Sequence, residues 1–172
     1  ECLGALLDLG RARGGRVAGA AFAWPGPFDY RGGRPLMKHK YASVYGVSLW
    51  PALCTRLGLE GVGAGFCHDA HALAFGEACY GAGRAGRSVF CVSLGTGIGT
   101  GWVCDGAIRA GPDGGPRWSV YGLPCRDGIL EDYVSGRGIA RLYGLHAETP
   151  EPVTACEVAA RAADGEAAAQ AA

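Results

Sequence analysis

Hydrophobic positions along the chain fall into short blocks divided by glycine and proline, and their spacing alternates between helix-like and strand-like. Cys2 to Arg13 carries Leu3, Leu6, Leu7 and Leu9, one face of an amphipathic helix that Gly14-Gly15 ends. Val17 to Trp24 is apolar enough for a central strand. Pro25-Gly26-Pro27 must leave it as a rigid loop, because proline cannot join the ladder. Residues 29 to 47 are mixed. Leu49 to Leu57 predicts a helix ended by Gly58, and Gly61 to Phe66 a further strand. Ala70, Leu73, Ala74 and Glu77 then recur at helical spacing, with Asp69 as the N-cap.

After a loop at 81–87, Val89, Phe90, Cys91, Val92 and Leu94 predict a short strand that is buried and mostly apolar on both faces. Gly95-Thr96-Gly97-Ile98-Gly99 forces a tight turn, where glycine permits positive φ and a close approach to the backbone. The chain returns through Trp102-Val103-Cys104 to a hairpin turn at Asp105-Gly106. Gly111 to Gly122 reads as loop. From Asp127 to Leu145, Ile129, Leu130, Tyr133, Val134, Ile139 and Leu142 keep helical spacing, and Gly136 and Gly138 imply a break or close packing. Thr154 and Glu157 form a capping box before an alanine-rich end.

Composition changes this picture little. The 172 residues suffice for one good core or two small lobes. Sixteen basic and sixteen acidic residues give a formal charge of zero, which offers no basic groove for nucleic acid and no anionic-membrane surface. No apolar run approaches the length of a membrane span, and no basic-then-apolar leader opens the chain. Eight cysteines in apolar contexts, without a C-x-x-C pair, read as free thiols in a reducing cytosol. The abrupt start and end read as the middle of a longer gene product.

Two stretches carry candidate chemistry. The glycine turn offers free N–H groups and a threonine hydroxyl, a cradle for phosphate, although an ordinary glycine hairpin has the same residues. It is followed by a strand, not by the helix of a Walker or dinucleotide-binding loop. Asp69 is either a helix cap or a carboxylate at a cleft mouth, able to take a proton from a hydroxyl. Cys67, His68 and His71 lack metal-ligand spacing and a further ligand in register. Lys38, His39 and Lys40 read as a solvated face, or at most as lining of a polar cleft.

Four segments in order, A-F-A-W-P-G-P-F-D (21–29), H-D-A-H-A-L-A-F-G-E (68–77), L-G-T-G-I-G-T-G (94–101) and D-G-I-L-E-D-Y-V-S-G-R-G-I (127–139), resemble the ROK family of sugar kinases and related repressors. The resemblance implies an α/β, actin-like (ribonuclease H-like), two-lobed fold, incomplete in this chain. Residues 1–68 would belong to the N-terminal lobe and 69–172 to the C-terminal lobe, with the cleft between them. It implies an ATP-dependent hexose kinase, glucokinase-like, with Asp69 as general base and ATP with Mg²⁺ as donor. His68, Glu131 and Gly26 would contact sugar, and Gly95, Thr96, Gly97 and Gly99 the phosphates. A cytoplasmic homodimer is the family expectation.

Departures from the family pattern bear on the sugar. Gly122 to Glu131 has one cysteine, Cys125, where the family's zinc run has three, so no structural zinc is expected. Gly111 to Ser119 shows no clear counterpart of the family's Glu and His, and His68 stands where asparagine is usual. The family's first phosphate motif and adenosine-binding segment are not in the chain. The alternative is a sugar-sensing transcriptional regulator without catalysis, or a degenerate kinase fold kept for binding.

Overall fold

The computed structural model describes residues 2–147 and 152–172. α1 (Cys2–Ala12) leads into β1 (Gly19–Trp24), followed by the small hairpin β2 (Phe28–Asp29) and β3 (Arg34–Pro35). Short α2 (Lys38–Tyr41) and a single 3-10 turn precede α3 (Leu49–Leu57) and β4 (Gly63–His68). β1 and β4 pair in parallel, with Trp24 opposite His68, so both strands deliver their C-terminal ends to one place. A crossover of this length is what a parallel pair requires. Phe22 and Phe66 stack at 5.1 Å, and Phe28 adds its ring at 5.4 Å from Phe66, welding the hairpin to the sheet. Gly33, at φ 63°, passes under the Phe66 ring, where a Cβ would lie 2.6 Å from the ring edge.

The second half builds on a meander. α4 (Asp69–Tyr80) follows β4 directly and lies across β5 (Ser88–Leu94) and β6 (Ile98–Cys104), which pair antiparallel with β7 (Ala107–Ile108) at the edge. Gly101 makes the contact with α4 possible: a Cβ there would run into the Ala70 carbonyl oxygen and come within 2.7 Å of the Ala74 Cβ. Buried Thr100 donates from Oγ1 to the Trp118 carbonyl at 2.6 Å, and Trp102 stacks on Trp118 at 4.4 Å. These contacts press the 111–122 loop onto the sheet. β8 (Pro124–Cys125) and β9 (Gly128–Ile129) form a hairpin, and α5 (Glu131–Val134), α6 (Gly136–His146), α7 (Ala155–Ala163) and α8 (Ala167–Ala171) close the chain. Tyr143, Val158 and Ala169 are the core of that helical end.

Several expectations change. β5 is not buried on both faces: Val89, Cys91 and Ser93 lie under α4, while Phe90, Val92 and Leu94 are 43%, 49% and 63% exposed. No second layer covers that face among the described residues. Of the predicted apolar face of α1, Leu7 is buried and Leu6 and Leu9 are exposed; the Leu3 side chain is outside the described set. The helix expected from Asp127 begins only at Glu131, because Asp127 to Ile129 is drawn into the β8–β9 hairpin. Its break falls at Ser135, whose Oγ accepts from the Gly138 N–H at 3.1 Å as the N-cap of α6. Gly138 is the closely packed position, its missing Cβ lying 2.7 Å from the Asp132 carbonyl carbon. The capping box forms as expected, Glu157 N–H to Thr154 Oγ1 at 3.2 Å and Thr154 N–H to Glu157 Oε2 at 2.7 Å.

Candidate functional site

A cleft of about 1010 Å³ opens where β1 and β4 end. Its walls are the loop after β1, the β4–α4 junction, the turn between β5 and β6, the Asp113–Pro116 segment, and Glu131 with Arg137. All of Gly26, His68, Asp69, Gly95, Thr96, Gly97, Gly99 and Glu131 line it. Residues spread over more than a hundred positions of sequence therefore meet in one space. A smaller cavity of about 540 Å³ lies at the other end of β1 and β4, between Arg11, Arg16 and Gly58–Val62, and none of these candidates reaches it.

At the β4–α4 junction the cap is His68, not Asp69. The strand runs extended through His68 (ψ 141°), so Asp69 becomes the first helical residue. Asp69 Oδ1 accepts the Ala70 N–H at 2.8 Å and lies 2.9 Å from His68 Nδ1. Nδ1 is also 3.2 Å from the Ala70 nitrogen. One arrangement satisfies both donors: the proton sits on Nδ1 and points to the carboxylate, while Ala70 donates to the same oxygen. Oδ2 is then left for another partner, and the Asp69 side chain is 53% exposed to the cleft. Its carboxyl is held below the usual carboxylate range, first by the hydrogen bond from His68, with partial burial opposing. The other ring edge of His68 faces the β1 loop, where a Cβ on Gly26 would lie 3.7 Å from Nε2.

Across the cleft, the glycine turn differs from expectation in its backbone. None of Gly95, Gly97 and Gly99 has positive φ. Their bareness serves close approach: a Cβ would lie 2.6 Å from Glu131 Oε2 at Gly97 and 3.2 Å from the Ala70 Cβ at Gly99, while Gly95 has open space. Gly95 N–H is taken by the Gly97 carbonyl at 2.9 Å and Ile98 N–H by Glu131 Oε2 at 2.8 Å. The N–H groups of Thr96 and Gly97 and the Thr96 hydroxyl have no hydrogen-bond partner among the described residues. Donors of that kind at the mouth of a turn suit phosphate oxygens.

Three cleft residues escaped the sequence reading, and His71, weighed there only as a metal ligand, is buried and outside the cleft lining. Tyr30 donates its hydroxyl to the Trp24 carbonyl at 3.1 Å, and burial, then the Asp69 and Asp113 carboxylates, push its phenol well above the usual range. Asp113 enters the wall from the 111–122 loop, its Oδ1 accepting the Gly115 N–H at 3.1 Å. An acid inside G-P-D-G-G-P was the available signal. His71 is 1% exposed, its ring 5.7 Å from that of His68, and its Nε2 has no partner among the described residues. Burial holds it below the ordinary imidazole range, reinforced by His68 and opposed by Asp113 and Asp69. Arg137 reaches the wall from the first turn of α6, and only its place after Ser135-Gly136 could have marked it. Of the basic cluster, His39 and Lys40 reach the cleft, whereas Lys38 sits over the Tyr45 ring at 4.8 Å.

Among the described residues no three His, Cys, Asp or Glu side chains are grouped to hold a metal. Where the zinc run would stand, the β8–β9 hairpin is pinned otherwise. Tyr133 donates its hydroxyl to Asp127, Asp132 Oδ2 accepts from Ile129 N–H at 3.0 Å, and Arg126 lies over the Tyr133 ring at 5.2 Å. One thiol, Cys125, does not fit a tetrahedral zinc.

A model of the ROK family matches residues 3–172. The chain belongs to the ROK family. Its α/β architecture is the actin-like fold of that family's sugar kinases, present in part. The glucokinase of Streptomyces coelicolor is 37% identical over 94 residues, covering 49% of this chain and 30% of that protein. Among solved structures, a ROK transcriptional regulator described as a homologue of the E. coli MLC protein aligns at TM-score 0.77 and 22% identity, covering 97% of this chain and 46% of its own. A ROK glucokinase from Streptomyces griseus, solved with glucose and AMPPNP, aligns at TM-score 0.65 and 24% identity, covering 96% and 60%. The ROK chain thus spans less than two thirds of each.

Proposed function

We propose that this ROK protein contributes the sugar side and part of the phosphate side of an ATP-dependent hexose kinase, glucokinase-like, with Asp69 as general base. The observation that carries the reading is the meeting, in one cleft, of a half-exposed carboxylate with one oxygen free and a turn whose Thr96 and Gly97 N–H groups have no partner among the described residues. The sugar hydroxyl proton passes to Asp69 Oδ2 as its oxygen attacks the γ-phosphorus. The bond from that phosphorus to the bridging oxygen breaks, and ADP leaves with the electron pair. Because the carboxyl pKa is held down, Asp69 is ionised and ready at neutral pH. Thr96 and Gly97 N–H groups hold phosphate oxygens, since positioning and charge stabilisation do most of the work in phosphoryl transfer. His68 orients Asp69 through Nδ1 and presents Nε2 to the sugar beside Gly26. Mg²⁺ would arrive on the donor phosphates and neutralise their charge.

The lobe boundary falls at residues 68/69 in this reading: α4 packs on β5 and β6, while β1 and β4 form their own sheet. Support comes from the S. coelicolor glucokinase and from the S. griseus enzyme's complex with glucose and an ATP analogue. The regulator of the same fold favours a second reading, a sugar sensor without turnover. The retained carboxylate and unpaired turn donors favour catalysis, since a sensor needs neither. The test is ADP release by the full-length polypeptide with Mg-ATP and a panel of hexoses and N-acetylhexosamines. Sugar-dependent release should fall by about 10²–10⁴ in Asp69→Asn. Near-normal turnover in that variant would remove Asp69 as base, and no release with any sugar would favour the sensor.

A further inference from the structure

We propose that His68 is a phosphoryl-acceptor site: when no sugar fills the cleft, its Nε2 takes the γ-phosphoryl group of a nucleoside triphosphate and becomes a phosphohistidine. This rests on the kinase reading of the same cleft, which brings the phosphoryl donor there.

The two edges of the imidazole have different surroundings. Nδ1 lies 2.9 Å from Asp69 Oδ1 and 3.2 Å from the Ala70 nitrogen, which itself donates to Asp69. With the proton on Nδ1, the ring's lone pair is on Nε2. No hydrogen bond among the described residues engages Nε2. The neighbouring hydroxyl is turned away: a Cβ on Gly26 would lie 3.6 Å from the Tyr30 oxygen and 3.7 Å from Nε2, yet Tyr30 donates to the Trp24 carbonyl. The His68 side chain is only 13% exposed, so the ring is held in place while it lines the cleft together with Thr96 and Gly97. His71, the other imidazole nearby, keeps its Nε2 buried. Of the two, His68 is the one open to a ligand.

An imidazole whose Nδ1–H rests on a carboxylate is the stronger nucleophile at Nε2, because the carboxylate offsets the positive charge the ring gains as it attacks. The Nε2 lone pair forms the bond to the γ-phosphorus. The bond from that phosphorus to the bridging oxygen breaks, and the nucleoside diphosphate leaves with the electron pair. No proton is lost: it stays on Nδ1 against Asp69, whose depressed pKa keeps the carboxylate ionised. His68 caps the twelve-residue α4, so the new phosphate stands near a helix N-terminus, which favours negative charge. His39 and Lys40 reach the same cleft. Asp113 opposes the anion, with its Oδ1 already accepting from Gly115 N–H. A sugar hydroxyl that donates to Nε2 occupies the same lone pair, so sugar binding and phosphorylation of His68 exclude each other.

The test incubates the full-length polypeptide with Mg²⁺ and excess ATP radiolabelled in the γ-phosphate, without sugar. Protein-bound label should survive alkali and be lost in acid, as a phosphoramidate is. Mass spectrometry of the unsubstituted protein should place it on His68, and phosphorus NMR should show the Nε2 isomer. His68→Asn should abolish the label, a hexose that supports ADP release should suppress it, and unlabelled ADP should remove it as labelled ATP. Acid-stable label, label on another residue, the Nδ1 isomer, or label kept by His68→Asn would overturn the proposal. An unlabelled protein that still releases ADP with sugar would overturn it too, and would leave the kinase reading standing. Label on His68 with no ADP release for any sugar would support the phosphohistidine and sink the kinase reading. Neither label nor ADP release would overturn both. If His68→Asn fails to fold, the position mapped on the unsubstituted protein decides.

Discussion

His71 combines full burial with an unpartnered nitrogen, and its environment fixes how stability responds to acid. Its folded-state pKa is depressed, chiefly by burial. The unfolded chain therefore takes up the imidazole proton first, so stability is complete above the ordinary value of about 6.5 and declines as pH falls below it. His68 opposes protonation from one side, and Asp69 and Asp113 favour it from the other. Denaturant titrations across this range should show the slope, and His71→Gln should flatten it; an unchanged slope would exclude His71 as the source. Asp69 acts in a separate window. Its folded pKa is also depressed, so its contribution is present above the ordinary carboxylate value and is lost as pH falls through the depressed one. Legibility at this scale was uneven. Asp69 and His68 stood out through local order, a strand giving way to a helix. Tyr30, Asp113 and Arg137 did not, because their roles depend on neighbours 39 to 83 positions away.

The contact between α4 and β6 is the element that brings Asp69 to face the glycine turn. It depends on Gly99 and Gly101 offering no side chain to the helix. Gly101→Ala has to displace Ala70 backbone, which does not yield as a flexible side chain would. A loss of about 1–3 kcal/mol in urea denaturation is expected, typical of overpacking. Gly95→Ala, with open space around its missing Cβ, should be far milder, and equal losses at both positions would refute the packing account. The turn itself was legible as a turn. Its reason was not: repeated glycine in sequence suggests unusual dihedrals, whereas here it records how closely Glu131 and α4 approach the backbone.

Among the described residues, the β1–β4 pair and the β5–β7 sheet each leave a face uncovered. The open side of β5 presents Phe90, Val92 and Leu94, and Tyr80 and Leu145 add exposed apolar surface elsewhere. Contiguous apolar surface of this kind binds hydrophobic dyes. The 172-residue polypeptide should enhance the fluorescence of such a dye, and Val92→Thr with Phe90→Thr should reduce it with little change in stability. A signal indifferent to both substitutions would place the dye elsewhere. No helix among the described residues is long and apolar enough to cross a membrane.

Periodicity and punctuation alone determined most elements: the Leu49–Leu57 helix with its left-handed Gly58 cap, the β5–β6 hairpin with the Asp105-Gly106 turn that leads on to β7, and the Thr154 capping box. These are local, settled by backbone preferences within a few residues. The joint order of four short motifs also carried the family. Tertiary structure decided the rest. It chose His68 over Asp69 as the cap, pulled Asp127 to Ile129 into a hairpin, exposed one face of β5, and tied Glu131 to Ile98 and Arg137. Each of those outcomes is a competition for a hydrogen-bond partner or for contact area between segments distant in sequence, and only the folded chain brings the competitors together.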